Sequence, residues 1–226
     1  MYAVTLKRAA RLLIPFLAVL FFSACAGTPK VDTSKDVPVS AVPNAVPYTL
    51  EPLHMKIDLP GDLYVITRDV VSHPAELEAK NLNIEAIQVS FLETNVYLDA
   101  MESNFDYEFV ITMIEYEESR KRWDLSALGD TELQDLLLSD KAELAALGII
   151  STGDQIYKTA NAVFLAVSFE QPLERDIIVY SNLYYTTVNG MTINIALSAP
   201  NVPLTAEQLA LHRAVIDNIT FTKVPK

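Results

Sequence analysis

Residues 53–226 predict a single α+β domain, an antiparallel sheet of about six to seven strands packed with helices. Three observations carry this. Asn189-Gly190 sits between two long extended runs, Ile177 to Val188 and Met191 to Ser198, and this dipeptide favours the two-residue type I′ turn of a hairpin. Tyr107 to Tyr116 is apolar on both faces, with Tyr107, Phe109, Ile111 and Met113 on one and Val110, Ile114 and Tyr116 on the other. A strand of that kind belongs in a sheet interior covered on two sides. Thr205-Ala206-Glu207-Gln208 is a capping box, and it opens an amphipathic helix with Leu209, Leu211, Val215, Ile216 and Ile219 on its apolar side.

The remaining elements follow in order. Met55 to Leu59 alternates apolar and polar, Pro60-Gly61-Asp62 supplies turn chemistry, and Leu63 to Thr67 resumes an extended run, so a hairpin is expected. His73-Pro74 opens a short helix, and Asn83 N-caps a second that places Ile84, Ile87 and Phe91 on one side. Val96 to Met101 reads as a strand. Residues 131–147 carry a stripe of Leu133, Leu136, Leu137, Leu144 and Leu147, interrupted by Asp140. A buried charge is costly, so two shorter helices are expected, with Asp140 capping the second, Glu143 completing its box and Gly148 as a stop. Ile156 to Thr159 and Ala162 to Phe169 are strand-like. The Asn189-Gly190 turn sets Val188 opposite Met191, Thr186 opposite Ile193 and Tyr184 opposite Ile195. The buried face then holds Met191, Ile193, Ile195 and Leu197 with Tyr180, Tyr184 and Val188. The other face pairs Thr187 with Thr192 and Tyr185 with Asn194. Ile219 to Lys223 is expected as a last strand closing the sheet.

Ahead of the domain, Lys7, Arg8 and Arg11 precede an apolar run from Leu12 to Phe22. That run is shorter than the roughly 20 residues a membrane-crossing helix needs. It has the build of a signal peptide over residues 1–24. Phe22-Ser23-Ala24-Cys25 resembles a bacterial lipobox, with Phe22 where Leu is usual. The resemblance implies that Cys25, the only cysteine, is lipidated and becomes the new N-terminus. Other readings are an ordinary signal peptide or an uncleaved anchor helix. Lipidation accounts for an unpaired thiol on an exported chain, and more than one acyl chain gives stable anchoring. Residues 25–52 carry Pro29, Pro38, Pro43, Pro47 and Pro52 and are expected to be an extended tether. The expected address is therefore the extracytoplasmic face of a bacterial envelope, anchored in the membrane by lipid.

All 29 acidic residues follow Cys25, and three of the 17 Lys and Arg precede it, so the mature chain is more acidic than the full chain's net charge of −12. Such a surface repels nucleic acid, and no nucleic-acid partner is expected.

The order of elements resembles the PsbP-like fold. The residues carrying the likeness are Met55 to Leu59 with Pro60-Gly61, and the stretch from Tyr180 through Asn189-Gly190-Met191 to Ile219-Thr220-Phe221. The resemblance implies an α/β/α sandwich and a non-catalytic binding or assembly role. It carries no functional residues.

Chemistry is sparse in the sequence. His54, His73 and His212 show no metal-ligand spacing, and there is no nucleophile elbow, phosphate loop or dinucleotide fingerprint. No catalytic residue, metal or cofactor is expected, and the chain is read as not an enzyme. His212 falls inside the apolar arc of the last helix, as a core histidine or as a general base in a small-ligand or hydrolase pocket. Glu115 and Glu117 alternate on one strand face, a solvated strand end or a cation site. Arg120, Lys121, Arg122 and Trp123 form a basic, aromatic cluster, either a loop anchored by Trp123 or a dock for an anionic partner. The polar, aromatic face of Tyr185, Thr187, Thr192 and Asn194 is the preferred surface for an envelope protein or small ligand, since tyrosine is enriched at such surfaces.

Overall fold

The computed structural model describes residues 41–115, 124–173 and 177–224. Cys25 and its leader, the tether up to residue 40, and the cluster from Tyr116 to Trp123, Glu117 included, lie outside the described residues.

Two antiparallel sheets form the framework. The first three strands among the described residues are β1 (Val46–Leu50), β2 (Met55–Leu59) and β3 (Tyr64–Thr67). Two helices follow, α1 (Pro74–Ala79) and α2 (Ile84–Thr94), then β4 (Val96–Met101) and β5 (Glu108–Glu115). Helix α3 (Asp130–Ala146) precedes β6 (Ile150–Lys158), β7 (Val163–Pro172), β8 (Ile178–Val188) and β9 (Met191–Pro200). The described chain ends with α4 (Ala206–Asp217) and β10 (Thr220–Phe221). A seven-stranded sheet runs β3-β4-β5-β9-β8-β7-β6, and a three-stranded sheet runs β1-β2-β10. The α+β class read from the sequence is the class observed.

Local chemistry explains most of the element ends. Asn189 and Gly190 both adopt positive φ, 54° and 75°, as the tight β8–β9 turn requires, and the register is the one expected: Val188↔Met191, Thr186↔Ile193 and Tyr184↔Ile195. Asn83 Oδ1 accepts from the Ala86 N–H at 3.1 Å. Thr205 Oγ1 accepts from the Gln208 N–H, and Gln208 Oε1 accepts from the Thr205 N–H, at 3.1 and 2.8 Å.

One face of the large sheet packs against α4 and the small sheet. Phe109, Ile111, Tyr184, Ile193, Ile195 and Leu197 meet Val215 and Ile216 of α4 with Ile57 and Leu59 of β2 in one cluster. The opposite face carries two separate apolar clusters. Leu77 of α1 and Phe91 of α2 cover Ile66, Val96, Met101 and Val110. Leu133, Leu137 and Leu144 of α3 cover Leu165, Val167, Phe169 and Leu183.

Four expectations are corrected. Part of the expected tether belongs to the domain: Val42 is buried, and β1 pairs along β2 from Val46↔Leu59 to Leu50↔Met55. Its Pro47 lies in an edge strand, where a missing N–H is tolerated. Gly61 ties this segment in, because a Cβ there would come within 2.7 Å of the Asn44 carbonyl. The expected 55–67 hairpin does not form. The Pro60-Gly61 turn instead carries the chain from one sheet to the other, since β2 pairs with β1 and β10 while β3 pairs with β4. Residues 130–146 make one 17-residue helix rather than two. Asp140 is tolerated inside it because its carboxylate accepts from the Tyr185 hydroxyl. Finally, the last strand pairs with Lys56 and Met55 of the small sheet and does not close the large one.

Candidate functional site

Between the two helix-covered clusters, the central strands of the large sheet present a strip of polar side chains. Because alternate residues share a face, the register places them in rows. Glu108 lies opposite Ser198, and Ser198 opposite Ser181. Asp99 lies opposite Val110, one row along. Thr112 faces Asn194, which faces Tyr185. Thr192 faces Thr187 at the turn end.

These groups are interior. Asp99, Thr112, Ser181, Thr187, Thr192, Asn194 and Ser198 are all buried, while Glu108 and Tyr185 are half-buried. Hydroxyl pairs satisfy part of the strip: Ser181 Oγ and Ser198 Oγ are 3.0 Å apart, as are Thr187 Oγ1 and Thr192 Oγ1. Asp99 differs. Its Oδ1 is buried without a hydrogen-bond partner, and its residue is 4% exposed. An unpaired buried carboxylate oxygen is expensive, and burial pushes the Asp99 pKa up to about 7. Glu108 is raised well above the usual carboxylate range, by burial first and by the Asp99 charge second. Two carboxyls in such proximity do not both ionise readily.

The expected partner surface of Tyr185, Thr187, Thr192 and Asn194 is therefore corrected. Its residues share one face in the expected register, but Thr187, Thr192 and Asn194 are buried at 2%, 5% and 5% exposure and form part of an interior strip. Tyr185 packs into the α3 cluster with its hydroxyl on Asp140. Replacing Tyr185 with Phe should cost about 1.5–3 kcal/mol, the range for a hydrogen bond to a charged group, read as a lower urea midpoint.

His212 lies on the other side of the sheet and is fully buried. Its ring packs edge-on against Tyr184 and Phe109, with centroids 5.0 and 5.5 Å away. Asn182 Nδ2 donates to Ser168 Oγ at 2.9 Å, leaving Asn182 Oδ1 to accept from His212 Nδ1 at 2.9 Å. The proton is thus on Nδ1, and Nε2 is buried without a partner. Burial lowers the pKa to about 3, offset in small part by the Ile195 backbone. A ring so enclosed is a core histidine. The expectation of a pocket base at His212 is set aside, because the imidazole has no open side from which a substrate could approach.

His54 is exposed, and His73 begins α1 with Nδ1 3.1 Å from Ser72 Oγ. Among the described residues no group of three or more His, Cys, Asp or Glu is placed to hold a metal ion.

No protein-family profile matches the chain, and no curated protein matches it in sequence. Among solved structures, the chain is similar to cyanobacterial PsbP (CyanoP) from Synechocystis sp. PCC 6803, at 11% identity and a TM-score of 0.48, over 84% of this chain and 99% of that one. A protein from Bacteroides thetaiotaomicron VPI-5482 aligns at 9% identity and a TM-score of 0.40, over 75% of this chain and 45% of that one. A protein of unknown function, PA94, from Pseudomonas aeruginosa aligns at 11% identity and a TM-score of 0.34, over 80% and 99%. At TM-scores below 0.5, none of these likenesses bears on ligand, activity or residue roles in this chain.

The acidic half of the strip was missed in the sequence. Asp99 interrupts an otherwise apolar strand, Val96-Tyr97-Leu98-Asp99-Ala100-Met101, and every residue of that strand is buried. A charge in so apolar a run was the available signal.

Proposed function

We propose that this chain is a lipid-anchored extracytoplasmic module of the bacterial envelope, held through Cys25 and acting by binding rather than by catalysis. The binding element is the polar strip on β4, β5, β8 and β9. The observation that supports it is the buried Asp99 Oδ1 without a partner, beside Glu108 and the Ser181–Ser198 pair, in a strip otherwise flanked by apolar clusters. Recognition sites commonly combine apolar walls with a few convergent polar groups of perturbed pKa. The address rests on the basic leader, its short apolar run and the single cysteine after Ser23-Ala24.

Metabolic palmitate labelling tests the anchor. The chain should take up label and partition with membranes, and Cys25→Ser should abolish both. Crosslinking of the labelled protein in its own cells tests the module. Adducts should be lost when the strip is altered by Glu108→Gln, at its half-buried residue, in a variant that still folds. An unlabelled wild-type chain would remove the address, and unchanged adducts would remove the strip as the binding element.

A further inference from the structure

We propose that the Asp99–Glu108 end of the strip is a subsite for an aliphatic primary amine, the ammonium lying between the two carboxyls, with the tail along the neighbouring apolar side chains of β4 and β5. This deepens the binding reading above and rests on it. Asp99 sits diagonally from Glu108 across β4 and β5, because Asp99 pairs with Val110 and Met101 with Glu108. Diagonal neighbours lie roughly 7–8 Å apart at Cα, close enough for long side chains to converge on one small group. An ammonium offers three donors and no acceptor. The acceptors for it are the Asp99 Oδ1, buried without a partner, and the Glu108 carboxyl. Glu108 is half-buried and is the more exposed of the two carboxyls. Met101, paired with Glu108, and Val110, paired with Asp99, supply the apolar contacts.

Two cations among the described residues, Arg68 and Lys80, are committed elsewhere. Arg68 donates to the carbonyls of Phe91 and Val96, and Lys80 donates to that of Ser103. From β3 the facing titratable group is Tyr64, whose partner in register is Met101. Helices α1 and α2 turn Leu77 and Phe91 inward and keep Glu76, Glu78, Glu85 and Glu93 exposed. On the α3 side, Asp140 accepts from Tyr185. Without a ligand the carboxyl pair relieves its burial by holding protons, so an ammonium must displace protons to bind. Its affinity therefore rises with pH through about 7, where Asp99 titrates.

The test is the thermal shift of the full chain in detergent with n-hexylammonium chloride, at pH 5.5 and pH 8, with sodium chloride matched. At roughly tenfold its dissociation constant the probe should raise Tm by about 3 °C at pH 8 and by clearly less at pH 5.5. Asp99→Asn and Glu108→Gln should each remove the shift. Circular dichroism verifies folding, and Glu108→Gln, on the half-buried residue, keeps the test alive if Asp99→Asn fails to fold. A shift that is absent, equal at both pH values, or retained in either variant overturns the amine subsite. Calcium chloride raising Tm as much as the amine, and losing that effect in the same variants, overturns it in favour of a hard-cation site. An absent amine response in a wild-type chain whose Glu108-dependent crosslinking is intact removes this ligand class alone and leaves the binding module standing.

Discussion

Replacing Asp99 with Asn should stabilise the protein at pH 8 by as much as on the order of 4 kcal/mol and should remove the part of its stability loss between about pH 4 and pH 7 that Asp99 causes. In the native state Asp99 keeps its proton up to about pH 7, whereas an unfolded aspartate releases it near its ordinary value of 3.8. Between those two pH values the native state binds more protons than the unfolded one, so stability falls as pH rises. The contribution is fully present below about pH 4 and is lost by about pH 7, at roughly 1.4 kcal/mol per pH unit. Asparagine has the same shape and no proton to lose, so the penalty disappears above neutrality while stability near pH 4 stays close to that of the parent. Glu108→Gln acts in the same direction, because burial and the neighbouring Asp99 charge raise that carboxyl as well. Urea unfolding from pH 4 to pH 8 measures all of this. An Asp99→Asn variant that is less stable than the parent at pH 8 would show that the carboxylate is ionised and satisfied there, and would remove the physical basis of the strip.

The sheet was legible where its chemistry is local. Asn189-Gly190 determines its own backbone conformation and, through the period-two pleat, the facing of every residue from Tyr180 to Leu197. The Asn83 and Thr205 caps satisfy donors within three residues of themselves, so they too are written in adjacent sequence. Errors arose where the deciding partner is distant. Asp140 reads as a helix breaker until Tyr185, 45 residues later, supplies the hydroxyl that makes it tolerable. Pro60-Gly61-Asp62 announces a turn, but not that β2 takes β1 and β10 as neighbours while β3 crosses to β4. Proline in the segment before residue 52 concealed an edge strand, because a prolyl residue costs little where no ladder hydrogen bond is made. For the strip, the facing of Tyr185, Thr187, Thr192 and Asn194 followed from register alone. Whether that face is wet or enclosed depends on what packs over it, which the strand sequences do not encode.

Acid should reveal the second buried group. His212 stays neutral in the native state down to about pH 3, while an unfolded histidine takes up a proton near 6.5. Here the unfolded state binds more protons, so stability rises with pH across the interval between the two values and is lost on acidification, by on the order of 4–5 kcal/mol in full. This slope opposes that of Asp99, and the two overlap from about pH 4 to pH 6.5. The parent protein is therefore expected to show a shallow profile there, with each single variant exposing what the other group conceals. His212→Gln keeps an amide that can reach Asn182 but loses the ring contacts to Phe109 and Tyr184, so it should cost about 1–3 kcal/mol at pH 7. It no longer carries the acid penalty, so its deficit against the parent should vanish or reverse by pH 4, where the parent has already lost roughly 3 kcal/mol through His212. In Asp99→Asn/Glu108→Gln both raised carboxyls are gone, so the histidine slope stands alone and stability should climb with pH up to about 6.5, while adding His212→Gln should flatten the profile again. A constant deficit of His212→Gln at all pH values, or a His212 ring whose NMR signals titrate between pH 5 and pH 8, would mean that the imidazole meets solvent, and the sealed core around it would have to be redrawn as a pocket.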